Sequence, residues 1–216
     1  MKLKRFGWRK HRYQVELIYK NRSIAVMKIG LYFGSFNPVH IGHLIIANHA
    51  VNETDLNQVW FVVSPQNPFK KSSSLLNEYH RLHLIKLAID GENNLRGSSV
   101  EFNLPKPSYT VDTLAYLKEK HPEHEFSILM GSDGFKNLNK WKNYKVITTN
   151  YSIYIYKRPG FEIGETHGAT ILMLDAPLLE ISSTHIREFI KNKKSIKFLV
   201  PDVVKEEIEL AGYYRN

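Results

Sequence analysis

Two histidines follow a glycine turn in the segment GSFNPVHIGH, which runs from Gly34 to His43. The apolar run before this segment predicts a strand, and the apolar spacing after it predicts an amphipathic helix. The first N–H groups of a helix and its positive end suit a polyphosphate. His40 and His43, three residues apart, fall on one side of the first turn and can both donate hydrogen bonds to one phosphate chain. The spacing therefore predicts a phosphate site at this helix start.

The same spacing of histidines occurs twice more, at His80/His83 and at His121/His124. Neither of those pairs follows a glycine turn, so we interpret both as ordinary surface residues. Zinc binding by His40 and His43 would require a third ligand, and neither an HExxH motif nor a suitably spaced carboxylate is near them. We therefore predict no metal ligands for this segment.

Cationic and helix-capping residues occur at two further places after predicted strands. Lys70 and Lys71 lie in a loop, and lysines in such loops are usually solvated. Ser182 and Ser183 can cap a helix, and Arg187, one turn later, adds a planar fork suited to phosphate. Each group alone is more often only structural. Together with the histidine segment they favour one anionic ligand held at several strand ends.

Composition limits the classes of protein to which the chain can belong. Its 216 residues, 43% hydrophobic and 24% charged, are typical of one globular domain. The lack of cysteine excludes disulfide frameworks, thiolate metal sites, iron–sulfur clusters and cysteine nucleophiles, and it favours the cytoplasm as the location. The net charge is +9, but residues 1–26 carry +7 of it. The remainder, with 22 basic and 20 acidic residues, is not a polyanion-binding surface by composition.

Residues 1–26 are predicted to be a basic N-terminal extension, either disordered or derived from an upstream start codon. Met27 stands directly before the first predicted strand, which favours the second explanation. A basic interaction arm and a targeting segment are the alternatives. No apolar run is long enough for a signal peptide or a membrane span, so no membrane partner is expected. The domain is predicted to cover residues 27–216.

Short apolar runs alternate with stretches of helical period along this domain. The predicted strands cover residues 28–33, 58–63, 99–102, 126–130, 152–157 and 170–174. The predicted helices cover residues 41–51, 78–90, 110–120, 184–191 and 202–210. Strands that are apolar nearly throughout, joined by helices, predict an α/β fold with a mostly parallel sheet and helices on both faces. In such sheets ligands bind beyond the carboxyl ends of the strands, where the strand order reverses.

Two motifs resemble those of a known family. GSFNPVHIGH and ISSTHIR, residues 181–187, resemble signatures of the nicotinate and nicotinamide mononucleotide adenylyltransferases, members of the HxGH nucleotidyltransferase superfamily. Weaker matches are SPQNPFKK, PSYTVDTL and MGSDGFKNLNKW. The resemblance spans Lys28 to about Tyr214 and leaves out the basic extension. One departure is Phe33, which stands where many bacterial members have a further glycine.

The resemblance implies a single Rossmann-like, doubly wound domain and assigns roles to its residues. His40 and His43 would be catalytic, with His43 closest to the α-phosphate of ATP. Asp133 would accept hydrogen bonds from the ribose. The complete ATP-binding set would be Gly34, Ser35, Phe36, Lys70, Lys71, Gly131, Asp133, Ser182, Ser183 and Arg187. The mononucleotide-binding set would be Asn37, Tyr109, Thr110 and Trp141.

Trp141 also has an argument of its own. It lies in the polar segment NKWKNYK, where core packing does not readily explain an indole. A stacking platform for a pyridine ring does explain it. Mg²⁺ is expected to accompany the triphosphate, held mainly by phosphate oxygens and water.

The activity implied is transfer of the adenylyl group of ATP to nicotinate mononucleotide, which yields deamido-NAD and pyrophosphate. A phosphate monoester, whose second pKa is about 6, is already ionised at pH 7 and needs no general base. The sequence agrees, since it has no GxSxG motif and no P-loop. Free N–H groups at the helix that starts after Ser108 would favour an acid over an amide on the acceptor, although Asp112 would oppose an anion if it faced the pocket.

Other functions remain as alternatives. The sequence HIGH is shared with class I aminoacyl-tRNA synthetases, but the chain lacks their KMSKS-like loop and their length. Another HxGH adenylyltransferase, such as phosphopantetheine adenylyltransferase, is a nearer alternative. A non-catalytic nucleic-acid-binding protein that uses the basic extension is a third, and the balanced charge of the domain disfavours it. The oligomeric state is left open.

Overall fold

The computed structural model describes residues 26–66, 75–177 and 179–215. One open sheet contains the six strands found there, which are β1 (Lys28–Gly34), β2 (Gln58–Val63), β3 (Leu95–Ser98), β4 (Glu125–Gly131), β5 (Ile153–Tyr156) and β6 (Ile171–Leu174). Their order across the sheet is β3-β2-β1-β4-β5-β6, and every neighbouring pair is parallel. The predicted α/β class is confirmed, and the sheet is wholly rather than mostly parallel.

Helices connect these strands on both faces of the sheet. Seven α-helices lie in the described ranges: α1 (Ile41–Asn52), α2 (Glu78–Ala88), α3 (Thr110–Lys120), α4 (Ser132–Phe135), α5 (Tyr144–Asn150), α6 (Ser183–Lys191) and α7 (Asp202–Ala211). Two short 3₁₀ helices cover Val100–Asn103 and Leu138–Lys140.

The alternation of side chains along β2 shows why both faces are covered. Val59, Phe61 and Val63 pack in one hydrophobic cluster, together with apolar residues of α1, α2, α6 and α7. Trp60 and Val62 point to the other face and pack with residues of α3 and α5. Successive side chains of a strand face opposite ways, so a strand without polar residues needs a helix layer on each side.

The strand order reverses at β1, which lies between β2 and β4. Tyr32 of β1 is paired with Phe61 on one side and Leu129 on the other. The segments that follow β1 and β4 therefore leave the same edge of the sheet side by side. This is the crevice where open parallel sheets bind ligands.

One predicted strand is wrong. The sequence predicts a strand over residues 99–102, but β3 is Leu95–Ser98. The apolar residues Val100 and Phe102, which favoured a strand, lie in the 3₁₀ helix Val100–Asn103. β3 is a sheet edge whose Gly97 packs closely against α2: a Cβ there would lie 3.0 Å from Leu82 Cδ1. An edge strand with glycine and arginine lacks the apolar run that marks a buried strand.

The five predicted helices are all present with small differences at their ends, and α3 covers Thr110–Lys120 as predicted. The short helices α4 and α5 were not predicted, since four and seven residues are too few to show a helical period. His80 and His83 are exposed as expected. His124, expected at the surface, is buried with 7% exposure.

We expect a chain that starts at Met27 to keep its turnover and its melting temperature nearly unchanged. β1 begins at Lys28, and the main-chain hydrogen bond just before it, from the N–H of Glu125 to the carbonyl of Met27 at 2.9 Å, remains in the shortened chain. Turnover and thermal unfolding of the full chain and of the shortened chain provide the comparison. Failure of the shortened chain to fold would show that the extension packs on the domain.

No described helix has the length and apolarity needed to cross a membrane.

Candidate active site

A cavity of about 680 Å³ opens at the carboxyl ends of β1 and β4. It contains residues of both motifs, which are separated by some 140 positions in the sequence. The predicted site residues that line it are Gly34, Ser35, Phe36, Asn37, His40, His43, Gly131, Asp133, Trp141, Ser182, Ser183 and Arg187. Lys70 and Lys71 lie outside the described residues, so their predicted role stays a prediction.

The turn after β1 is shaped by packing on Phe36. This residue is buried and has a φ of 45°, a left-handed conformation that is costly for a side chain with a Cβ. Its ring lies against the backbone of Gly34, where a Cβ would come within 2.8 Å of the ring. The glycine is therefore required by the aromatic ring of Phe36, which a Cβ would meet.

His40 and His43 stack on each other at the start of α1. Their ring centroids are 3.6 Å apart, and the backbone N–H of His40 donates to Nδ1 of His43 at 3.3 Å. Because Nδ1 of His43 accepts this hydrogen bond, the ring hydrogen of a neutral His43 is on Nε2. Nε2 is therefore the nitrogen of His43 that can donate to a ligand. The spacing predicted that the two rings would share one side of the turn, and the structure places them there.

His40 is the more buried ring, with 3% exposure. Burial, and to a smaller degree the positive charge of Arg158, lower the pKa of His40 to about 3. The ring is therefore neutral near pH 7 and can donate through one nitrogen only. Its Nδ1 is buried and has no hydrogen-bond partner among the described residues.

Gly42, in the first turn of α1, lies against a neighbouring side chain. A glycine in such a turn often lets a ligand approach the backbone closely. A Cβ at this position would instead lie 3.2 Å from Nδ1 of His40. Gly42 therefore makes room for the imidazole of His40, a neighbour on the same turn that the sequence pattern did not suggest.

The second motif contacts the first through two hydrogen bonds at the start of α6, and a third hydrogen bond caps the helix itself. Ser182 is the N-cap and its side chain accepts from the N–H of His185. The hydroxyl of Ser183 donates to the carbonyl of Pro38 at 2.8 Å, and Arg187 donates to the carbonyl of Asn37 at 2.8 Å. Both serine side chains are thus used within the protein. α6 can still offer a phosphate its first backbone N–H groups and those guanidinium N–H groups of Arg187 that do not donate to Asn37.

Asp133 lies in α4, directly after β4. A Cβ on Gly131 would lie 2.3 Å from Oδ1 of Asp133, so the glycine lets this carboxylate fold back over the chain. The side chain of Asp133 is 47% exposed, which leaves it accessible as an acceptor.

Arg158 was missed by the sequence analysis. It lines the large cavity, and its Nε is 3.9 Å from Oδ1 of Asp133. Its backbone N–H donates to the hydroxyl of Ser132 at 2.9 Å, which fixes the chain after β5 against α4. The signal was available, because Arg158 directly follows the strand predicted over residues 152–157, and ligands are expected beyond the ends of strands.

A second, smaller cavity of about 120 Å³ adjoins the first, and Phe33, Gly34 and Trp141 line both. The predicted mononucleotide residues Tyr109 and Thr110 line it at the start of α3. Asn37, also assigned to the mononucleotide, lies among the phosphate-site residues of the larger cavity instead.

Lys142 is a further residue that the sequence analysis missed. It lines the small cavity next to Trp141, and its Nζ donates to Oδ2 of Asp112 at 2.9 Å. The same Nζ lies 4.7 Å from the centroid of the Tyr109 ring. The negative charge of Asp112, which would oppose an anionic acceptor, is therefore paired with a cation.

The sequence profile of the cytidylyltransferase-like family matches residues 31–189 of this chain. A relative from Flavobacterium psychrophilum, named "Probable nicotinate-nucleotide adenylyltransferase", is 51% identical over 193 residues, which cover 88% of this chain and 100% of the relative. The chain belongs to the nicotinate-nucleotide adenylyltransferases of the cytidylyltransferase-like family. A Bacillus licheniformis member with the same name is 36% identical over 189 residues, 88% of this chain and 99% of its own.

Solved structures show the fold of this family. The Plasmodium falciparum nicotinic acid mononucleotide adenylyltransferase complexed with NaAD has a TM-score of 0.75 to this chain at 22% identity. The match covers 87% of this chain and 97% of that one. The family resemblance drawn from the two motifs is therefore confirmed.

Proposed function

We propose that this protein transfers the adenylyl group of ATP to nicotinate mononucleotide and releases pyrophosphate. The observation that carries the proposal is the junction of the two cavities at Gly34 and Trp141, next to the stacked histidines. The phosphate of an acceptor in the small cavity would then face the α-phosphate of ATP in the large one. Relatives up to 51% identical support the same activity.

In this reaction an oxygen of the acceptor phosphate attacks the α-phosphorus, and the bond to the bridging oxygen of the β-phosphate breaks. Catalysis then depends on positioning and on stabilising charge. His43 donates to the α-phosphate and His40 to its neighbour, while the start of α6 and Arg187 hold the β- and γ-phosphates. Arg158, whose Nε lies 3.9 Å from Oδ1 of Asp133, adds positive charge to the large cavity. Asp133 accepts hydrogen bonds from the ribose.

Mg²⁺ is part of this proposal. The described residues that line the large cavity include one carboxylate, Asp133, which is half-exposed. A single carboxylate does not make a protein cage, so the donor set fits a Mg²⁺ ion held mainly by phosphate oxygens and water. The ion would neutralise charge on the triphosphate and the departing pyrophosphate.

We also place this ATP-dependent activity in the cytoplasm.

Groups at the small cavity favour a negatively charged substituent on the pyridine ring of the acceptor. Thr110 is the first residue of α3, whose first N–H groups and positive end face an acceptor there. Lys142 adds a cation whose charge is shared with Asp112. Trp141 provides an indole face for the pyridine ring.

We expect a higher kcat/KM for nicotinate mononucleotide than for its amide. A charge at a helix start contributes about 0.3 to 2 kcal/mol, which corresponds to a preference of about 2- to 30-fold. Pyrophosphate release with each acceptor at saturating ATP measures the ratio. An equal or higher value for the amide would overturn the acid preference and leave the adenylyl transfer standing.

A panel of phosphomonoester acceptors tests the activity itself. Nicotinate mononucleotide should support pyrophosphate release from ATP, and phosphopantetheine should not. Release with phosphopantetheine alone would assign the chain to the other adenylyltransferases. Absence of release with every acceptor would contradict the proposed function.

A further inference from the structure

The guanidinium of Arg81, in α2, lies beneath the site and does not line either cavity. Its side chain has 0% exposure. Its hydrogen-bond partners in the described chain are four main-chain carbonyls, those of Ser35, Ser64, Pro65 and Leu76, at 2.6, 2.9, 3.3 and 2.7 Å. Peptide dipoles rather than a carboxylate therefore balance its charge.

These carbonyls belong to three separate segments. Ser35 is in the turn after β1 and lines the large cavity. Ser64 and Pro65 follow β2, and Ser64 lines the small cavity. Leu76 precedes α2, and its N–H donates to the side chain of Asn37 at 3.1 Å. One guanidinium thus joins both strand-end loops that form the site.

The bond to Ser35 also fixes the direction of a donor. In a trans peptide the C=O and the following N–H point in opposite directions. A Ser35 carbonyl held towards Arg81 therefore turns the N–H of Phe36 away from the guanidinium. Phe36 has the left-handed φ of 45°, and such a conformation persists only where its surroundings hold it.

A buried cation that has no ion-pair partner among the described residues is costly to fold. Burial lowers the pKa of Arg81, and the charge of Glu78 offsets only part of this effect. An apolar residue at this place in α2 would avoid that cost. An arginine here is therefore better explained by what it holds than by the stability that it adds.

We propose that Arg81 is a positioning residue that holds Ser35, after β1, and Ser64 and Pro65, after β2, in the conformation that binds the ATP phosphates. The inference rests on the proposed function, because it concerns how that site is organised. Arg81 contacts no substrate and acts through Ser35 and Ser64.

A second buried charge provides a contrast on the acceptor side. Glu101, with 2% exposure, lines the small cavity and accepts from the hydroxyls of Ser108 and Thr113 at 2.7 and 2.9 Å, and also from Ser64. These contacts hold the start of α3 and do not reach the turn after β1. Loss of Glu101 should therefore disturb acceptor binding, whereas loss of Arg81 should disturb ATP binding.

The experiment compares Arg81→Lys and Arg81→Gln with Glu101→Gln, and with Lys86→Met as a control that removes an exposed cation from the same helix. For both Arg81 variants we expect a rise in the KM for ATP of about tenfold or more. The rise in the KM for nicotinate mononucleotide should stay below about threefold, because Ser64, at the small cavity, keeps its main-chain hydrogen bond to Gly34 and its side-chain hydrogen bond to Glu101. Glu101→Gln should show the reverse pattern, and Lys86→Met neither. Titration with a non-hydrolysable ATP analogue measures ATP affinity without the reaction.

Equal rises in both KM values, or an unchanged affinity for the ATP analogue, would overturn the proposal. Failure of both Arg81 variants to fold would also overturn it, since that is the behaviour of a residue needed only for stability. If the unaltered protein releases no pyrophosphate with any acceptor, the proposed function fails. The analogue titration then still decides whether Arg81 organises a nucleotide site.

Discussion

Replacement of His43 by alanine is expected to lower kcat by about 10²- to 10⁴-fold, because it removes a preorganised donor to an oxygen of the phosphate under attack. The fold should remain, since His43 is only partly buried and lines the cavity. The substitution also removes the ring stacked on His40 at 3.6 Å and the acceptor of the His40 N–H. Turnover at saturating ATP and nicotinate mononucleotide measures the loss.

His83→Ala is the matched control for this prediction. His83 and His80 form a pair with the same spacing in α2. His83 is exposed, and its Nε2 lies 3.6 Å from Oε1 of Glu207. We expect its loss to leave kcat unchanged. Near-normal turnover of His43→Ala would show that the phosphate is stabilised by other groups, and a large fall in melting temperature would show that the histidine is structural.

Replacement of Trp141 by alanine is expected to raise the KM for nicotinate mononucleotide by about 5- to 150-fold, since stacking of a ring on an aromatic side chain is worth about 1 to 3 kcal/mol. Trp141 lines both cavities but lies on the acceptor side, beside Tyr109 and Lys142. The KM for ATP should change much less. Initial rates with each substrate varied in turn separate the two effects.

Trp141→Phe keeps an aromatic face and should recover most of the acceptor affinity. The indole also packs against the hydrophobic cluster that contains Leu138 and Ile147. If alanine lowers the melting temperature and leaves the acceptor KM unchanged, Trp141 is a core residue and the stacking role is wrong.

The sequence could predict the elements whose patterns are local. The helical period of α3 fixed both of its ends, and the glycine turn with two histidines marked the start of α1. The two motifs, read with the family resemblance, also identified residues that line the large cavity. Each of these signals is carried by a few neighbouring residues.

Contacts between distant segments could not be predicted in this way. Arg81 stands in a helix that reads as polar, EYHRLHLIKLA, and nothing in that pattern shows that its guanidinium is buried beneath two loops. The edge strand β3 contains Gly97 and no apolar run, and its place in the sheet comes from its pairing with β2. Gly42 faces His40, and that proximity depends on the rotamer of a neighbouring ring. In each case the decisive partner comes from the folded arrangement rather than from the spacing.

The hydrogen bonds from Arg187 to Asn37 and from Ser183 to Pro38 have a consequence for how the protein is made. The carbonyl of Leu199 likewise accepts from the N–H of Ile41, the first residue of α1. The turn that carries the histidines is synthesised before the segments that support it. A growing polypeptide on the ribosome therefore cannot form these contacts until α6 and Leu199 have emerged.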